Sequence, residues 1–248
     1  MFLIRTLHKW FGLILGLQFV LWSISGAMMA LLDHHKVSGE PSVREPAAAI
    51  APAEPLTLAR LSQAVGAPIQ GLKLRPLGDG YVYEAMTPAG VKLVDATSGQ
   101  TIAVDEAKAA ALAIAAFSGS EKVASVRKVE TGDVETRSLP LPLWRVEFAD
   151  KEQTTLLLST TTGEVLERRN NTWRLWDIFW MIHIMDYTKR ESFNHPLIIT
   201  VASGVAWLAL SGVILLFRSF RRQDFAYVLD PIERLQDERK TRKVANQP

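Results

Sequence analysis

Two uncharged apolar stretches stand near the ends of this chain, Trp10 to Leu32 (WFGLILGLQFVLWSISGAMMALL) and Pro196 to Phe217 (PLIITVASGVAWLALSGVILLF). Each is just over 20 residues, the length an α-helix needs to cross about 30 Å of hydrocarbon. In that medium a backbone must satisfy its own hydrogen bonds, so both stretches are predicted to be transmembrane helices, 10–32 and 196–217. Arg5 and Lys9 precede the first, while Arg218, Arg221, Arg222, Arg239, Lys240, Arg242 and Lys243 follow the second. The positive-inside rule therefore puts residues 1–9 and the tail 218–248 in the cytoplasm of a bacterial inner-membrane protein, with the middle exported to the periplasm. The first stretch has a basic start and small residues near Gly26 to Ala30, as a signal peptide would. Its run is longer than the usual signal core, and the second span needs a topology of its own, so an uncleaved anchor is expected. A net charge of +2 gives no basis for nucleic-acid binding.

The chain has no cysteine. Its exported part must therefore be held by a hydrophobic core and not by disulfides. Residues 33–56 include the Pro/Ala-rich run Ser38 to Pro55 and read as an extended tether. An α+β domain is expected over 57–169. Thr57 caps a short helix, LARLSQAV, that stops at Gly66. Four alternating segments follow, around Leu72–Arg75, Tyr81–Ala85, Val91–Asp95 and Thr101–Val104, separated by turn residues. Asp105 opens an Ala-rich helix that stops by Gly119. A second set of strands covers Val123–Val129, Trp144–Phe148, Thr155–Ser159 and Glu164–Arg168. DATSGQTIAVD in the first set and STTTGEVLERR in the second form a weak internal repeat, so two similar helix-plus-meander units are predicted. Over 170–195 the chain becomes aromatic. Trp173, Trp176, Trp180 and His183 share one helical face, which suggests an amphipathic helix at the outer membrane–water interface.

Several segments carry a family likeness: LHKWFGLILGL with SGAMM further along, LWRVEF followed by TTTGEVLERR, and WRLWDIFWMIHIMDY running through FNHP into the last helix. In these the chain resembles PepSY-domain proteins with associated transmembrane helices, from bacterial inner membranes. Larger relatives look like reductases for iron–siderophore uptake and are similar to haem-binding electron carriers. Some are fused to, or act beside, flavoprotein reductase modules. The resemblance thus implies a redox or metal-uptake setting, although this chain offers two spans and no flavoprotein module.

All five histidines flank the two apolar segments: His8 before the first, His34 and His35 after it, His183 and His195 before the second. Two histidines can hold a b-type haem in a helical membrane protein. His183, His195, His34 and His35 are the candidate haem ligands, expected near the outer leaflet. For His34 and His35 the alternative is a solvated helix end; for His183, an interfacial ring bonded to Asp186; for His195, a helix-start residue before Pro196. His8 lies 26 residues before His34, about 39 Å along a helix, and is read as an anchor of the helix end. Met181 and Met185 read as packing. The DATSGQT segment faintly resembles a site of flavin mononucleotide attachment at Thr101. An ordinary turn, matched by TTTGE in the second unit, is the preferred reading. Small residues (Gly12 and Gly16; Ser203, Gly204, Ser211 and Gly212) favour close helix approach, between the two spans or to a partner.

The leading expectation is an accessory or electron-transfer subunit of a membrane redox or iron-uptake system, within a homodimer or larger complex, with a reductase among the partners. The alternatives are a binding or inhibitory module for an exported protease, and an assembly factor. An autonomous enzyme is not favoured. The exported domain lacks histidine and cysteine for a centre built on either.

Overall fold

A computed structural model describes residues 2–44, 54, 56–219 and 231. Part of the predicted tether (45–53 and 55) and most of the predicted cytoplasmic tail (220–230 and 232–248) lie outside them. The chain divides into two compact units, Met1–Leu21 with Asn194–Pro248, and Trp22–Phe193. Helix α1, Phe2–Leu31, contributes to both.

In the terminal unit, the first part of α1 packs on α6, Pro196–Ser219. Both helices are long and apolar enough to cross a membrane, and few of their side chains are buried inside the protein. Helix α1 begins eight residues before the predicted Trp10, because nothing in Phe2 to Lys9 breaks a helix. Small residues set the contact. A methyl group built at Gly204 would lie 2.9 Å from Leu15, and one at Gly12 would lie 3.8 Å from Leu208. Phe11 stacks at a tilt on Trp207, with ring centroids 4.7 Å apart. Gly16, the second glycine of the GxxxG spacing, has open space beside it, so that spacing is only half used.

The second unit holds two antiparallel four-stranded meanders. The first has the order β1 (Gly71–Leu77), β2 (Gly80–Thr87), β3 (Gly90–Asp95), β4 (Thr101–Ile102). The second has β5 (Val123–Val129), β6 (Leu143–Phe148), β7 (Thr155–Ser159), β8 (Val165–Arg169). Helix α3, Leu58–Val65, starts where the Thr57 hydroxyl accepts the Arg60 N–H and ends at left-handed Gly66. Its Leu61 and Val65 pack on Tyr83, Ala85 and Val94 of the first sheet. Helix α4, Glu106–Ala116, capped by Asp105, lies in the main core. There Leu112 and Ala113 meet Val82 and Leu93 of one sheet and Val146, Leu156 and Leu158 of the other. Burying such side chains contributes about 1.5–3 kcal/mol each, which is how a cysteine-free domain holds together. Two polar ties join the halves. The Trp144 indole donates to the Val104 carbonyl (2.8 Å), and the buried Arg75 guanidinium bonds Glu84 (2.6 Å) and the Thr162 carbonyl (2.6 Å).

The internal repeat is structural. After β3, Asp95 accepts the N–H groups of Thr97 and Ser98, and Gly99 closes the turn at φ +76°. After β7, Ser159 accepts those of Thr161 and Thr162, and Gly163 closes it at φ +69°. The copies differ in surroundings. A methyl on Gly163 would lie 2.7 Å from Leu112, whereas one on Gly99 meets Leu56 at 3.6 Å.

The predicted tether is partly folded. His34–Val37 forms a short helix, α2, and Glu40–Ser42 a 3-10 turn. Val43 then bridges Phe117, and Arg44 N–H bonds the Ala116 carbonyl. Proline there suits extended chain, and a neighbouring backbone with free groups holds it in place.

Helix α5 spans Asn171–Ile184. Asn170 caps it by accepting the Trp173 N–H (2.7 Å), while its amide donates to the Lys36 carbonyl of α2 (2.7 Å). The expected tryptophan face is split. Trp173 is 8% exposed and lies under the guanidiniums of Arg169 (4.2 Å) and Arg137 (5.4 Å). Trp176 and Trp180 stack on each other at 5.3 Å. The buried anchor is Asp177, 1% exposed, which pairs with Arg137 and with Arg190 (2.6 Å). A buried carboxylate between two cations is costly to orphan.

Asp177→Asn is expected to destabilise the second unit by about 3 kcal/mol, read by denaturant unfolding in detergent with hydrogen exchange on α5. Gly163→Ala is expected to cost more than Gly99→Ala. Both carry the left-handed penalty of about 1–2 kcal/mol, and only the first meets Leu112. Equal melting temperatures for the two glycine variants would contradict this.

Candidate functional site

Helix α5 delivers His183 in its last turn, and the partner of that ring is not the expected one. Its Nδ1 lies 3.1 Å from the Ser25 hydroxyl of α1. Ser25 is 1% exposed and donates to the Trp22 carbonyl (3.2 Å). A methyl built on the next residue, Gly26, would lie 3.4 Å from His183 Cε1, so the ring edge rests against bare helix backbone. The Trp22 ring stands 6.5 Å away at 46°. Its Nε1 is buried and has no hydrogen-bond acceptor among the described residues. His183 itself is half-buried, and its Nε2 hydrogen-bonds none of the described residues.

Asp186 does not orient His183. Its carboxylate accepts the backbone N–H groups of Thr188, Lys189, Glu191 and Ser192 and the Thr188 hydroxyl. Desolvation pushes this carboxyl up, but the Lys189 and Glu191 amides and the Thr188 contacts outweigh it and hold it well below the usual range. Asp186 thus folds the loop that follows α5. Met185 ends the helix in the left-handed region, and the chain turns back so that Arg190 reaches Asp177. The Trp180 indole donates to the Arg190 carbonyl, and Phe193 packs edge-on against its ring. Sequence spacing favoured Asp186 because it is three residues from His183. The loop's unpaired amides compete for the same oxygens.

His34 and His35 sit side by side in α2, with ring centroids 6.5 Å apart. His35 is committed. Its Nδ1 is 2.6 Å from Glu40 Oε2, with 74% of the side chain exposed. The hydrogen bond and charge of Glu40 raise the His35 pKa, while the His35 hydrogen bond lowers that of Glu40. Asp33 caps α2 by accepting the His35 N–H (3.0 Å). His195 belongs to the terminal unit, where its carbonyl accepts the Ile199 N–H at the start of α6. Among the described residues, no group of three or more His, Cys, Asp or Glu converges as a metal site.

His8 is more than an anchor of the helix end. Its Nδ1 bonds the Ser211 hydroxyl of α6 (2.8 Å), and Ser211 donates to the Leu208 carbonyl (2.9 Å). A methyl on Gly212 would lie 3.2 Å from His8 Cε1. Thr101 sits in short β4, paired with Val94, with its hydroxyl 3.4 Å from the Ala64 carbonyl.

A haem site needs an axial nitrogen with a lone pair and donors for acidic side groups. His183 Nε2 and the unsatisfied Trp22 Nε1–H are groups of those types. Sequence reading missed Ser25, Gly26 and Trp22. The available signal was the Ser-Gly dipeptide, which occurs at 25–26, 203–204 and 211–212 in the two apolar segments; only the first and last of these meet a histidine.

The His35–Glu40 pair gives a pH prediction. Histidine gains a partner, so its contribution is complete below its unfolded pKa and is lost as pH rises through the raised folded value. The Glu40 contribution is lost as pH falls through its lowered value. The α2 segment is therefore expected to be best ordered between those limits. An NMR titration should show the His35 pKa falling in Glu40→Gln; an unchanged value would refute the pairing.

No curated protein and no solved structure matches this chain at a significant level. The family model described as "PepSY-associated TM region" matches residues 5–244. With two apolar helices and two meanders accounted for within that match, this membrane-associated chain belongs to the PepSY-associated transmembrane region family.

Proposed function

We propose that this chain is a non-enzymatic, electron-transferring or accessory subunit of an inner-membrane redox or iron-uptake system, holding haem b through His183. What supports the reading is one observation: the imidazole is held by Ser25 through Nδ1 and, among the described residues, neither its Nε2 nor the nearby N–H of Trp22 has a hydrogen-bond partner. When bound, haem supplies a one-electron iron couple. The residues do the rest. His183 offers an axial nitrogen on a helix whose position Asp177 fixes. Trp22 offers a hydrogen-bond donor on a neighbouring helix.

The proposal places both termini in the cytoplasm, following the Arg and Lys bias, and the two-meander unit in the periplasm. The outer leaflet is then the level of His183. Leu175, Ile178, Tyr187 and Phe193 are exposed apolar side chains on and after α5, and they suit contact with lipid. A single-chain ligand set at this corner is small, so a second copy or a larger membrane complex, with a reductase as donor, completes the proposed path.

Purified protein in mild detergent is expected to show a Soret band and a reduced-minus-oxidised α-band. His183→Ala should abolish or shift both, while His35→Ala retains them. Wild-type protein that lacks these bands after reconstitution with haemin would overturn the reading.

A further inference from the structure

The two histidine–serine contacts have the same local chemistry, although they lie in different units. In each, an imidazole Nδ1 meets the hydroxyl of a serine that is followed by glycine: His183 with Ser25-Gly26, and His8 with Ser211-Gly212. In each, the serine also contacts the carbonyl three residues before it, Trp22 in one and Leu208 in the other. A carbonyl oxygen only accepts, and a hydroxyl has one proton to give. The serine proton is thus spent on the carbonyl. Toward the ring, the serine oxygen is the acceptor, and Nδ1 must be the donor.

The glycine lies beside the ring in both. A methyl at position 26 would stand in ordinary contact with the His183 ring, 3.4 Å from Cε1 and 3.7 Å from Nδ1. At position 212 the corresponding distance to His8 Cε1 is 3.2 Å. A ring flipped about its Cβ–Cγ bond would put carbon Cδ2 on the serine oxygen and lose the bond. The hydrogen bond selects one orientation and one tautomer at both rings, and the tighter approach at Gly212 adds to it for His8.

We infer that Ser25-Gly26 and Ser211-Gly212 are matching notches that hold His183 and His8 as Nδ1–H tautomers, with Nε2 as the nitrogen that keeps the lone pair. Ser25 is then a positioning residue for His183, and Ser211 for His8. For His183 this deepens the proposed iron-ligand role and rests on it for what Nε2 binds. The tautomer itself stands without that role. A metal-bound imidazole is usually held by such a hydrogen bond on its other nitrogen, and a buried polar pair is costly to break where water is scarce.

The test uses the full chain in detergent micelles, labelled with ¹⁵N-histidine, free of haem and at a pH where the rings are neutral. Two-bond ¹H–¹⁵N spectra are expected to show His183 and His8 protonated on Nδ1, with assignments from His183→Gln and His8→Gln. Ser25→Ala should release the His183 tautomer and leave that of His8 unchanged; Ser211→Ala should do the reverse. Nε2-protonated rings in the unsubstituted protein would overturn the inference with no variant needed, as would tautomers indifferent to both serine substitutions. Haemin titration then separates the two claims. Ser25→Ala should weaken haemin binding by about 10-fold or more. An Nδ1–H ring in a protein that binds no haemin removes the iron-ligand role and keeps the notch. Haemin bound by a chain whose His183 carries its proton on Nε2 removes the notch and keeps the ligand.

Discussion

A helix in hydrocarbon has no water to satisfy what its polar side chains leave unpaired, and that constraint organises this molecule. Ser25 and Ser211 are among the few polar residues of α1 and α6, and both are buried. Each satisfies its proton locally, on its own helix, and then offers its oxygen to a histidine from another helix. The partner helices are thereby tied to the apolar ones at defined points. In the terminal unit the tie adds to close contacts at Gly204 and Gly12. In the second unit it joins α5 to the end of α1.

The second unit answers a different constraint. It has no disulfides, so order must come from packing and from paired charge. The duplicated meanders share one core with α4 at its centre, while α3 covers the outer face of the first sheet. Helix α5 is held by charge, with Asp177 between two arginines and Trp173 under two guanidiniums. The loop after α5 is built on Asp186. These contacts make the helix carrying His183 a rigid part of the body. The proposed ligand role of His183 needs that, since loosely held ligands lose affinity.

Family membership sets the context but leaves chemistry to the residues. His35 is drawn into a surface pair with Glu40, and His8 and His183 are drawn into serine–glycine notches. Five histidines that look alike in spacing therefore fall into different environments. What separates them is which partner each ring finds.

Much of the architecture was legible in the chain itself. Unbroken apolar runs give spanning helices because hydrocarbon admits little else. Thr57, Asp105, Gly66 and the two glycine turns mark element ends because caps and left-handed backbone restrict residue choice. The repeat was visible as DATSGQT and TTTGEV. Three matters were decided only by tertiary structure. The N-terminal part of the tether folds against α4 because Val43 and Arg44 find free backbone groups at Ala116 and Phe117. Trp173 is buried because Arg137, from a distant segment, and Arg169, from the end of β8 just before α5, cover it. His183 turns to Ser25, 158 residues away, and not to nearby Asp186, because that carboxylate is already saturated by its own loop. Local pattern fixes what a segment becomes; the competition among distant polar groups for each other fixes where its chemistry points.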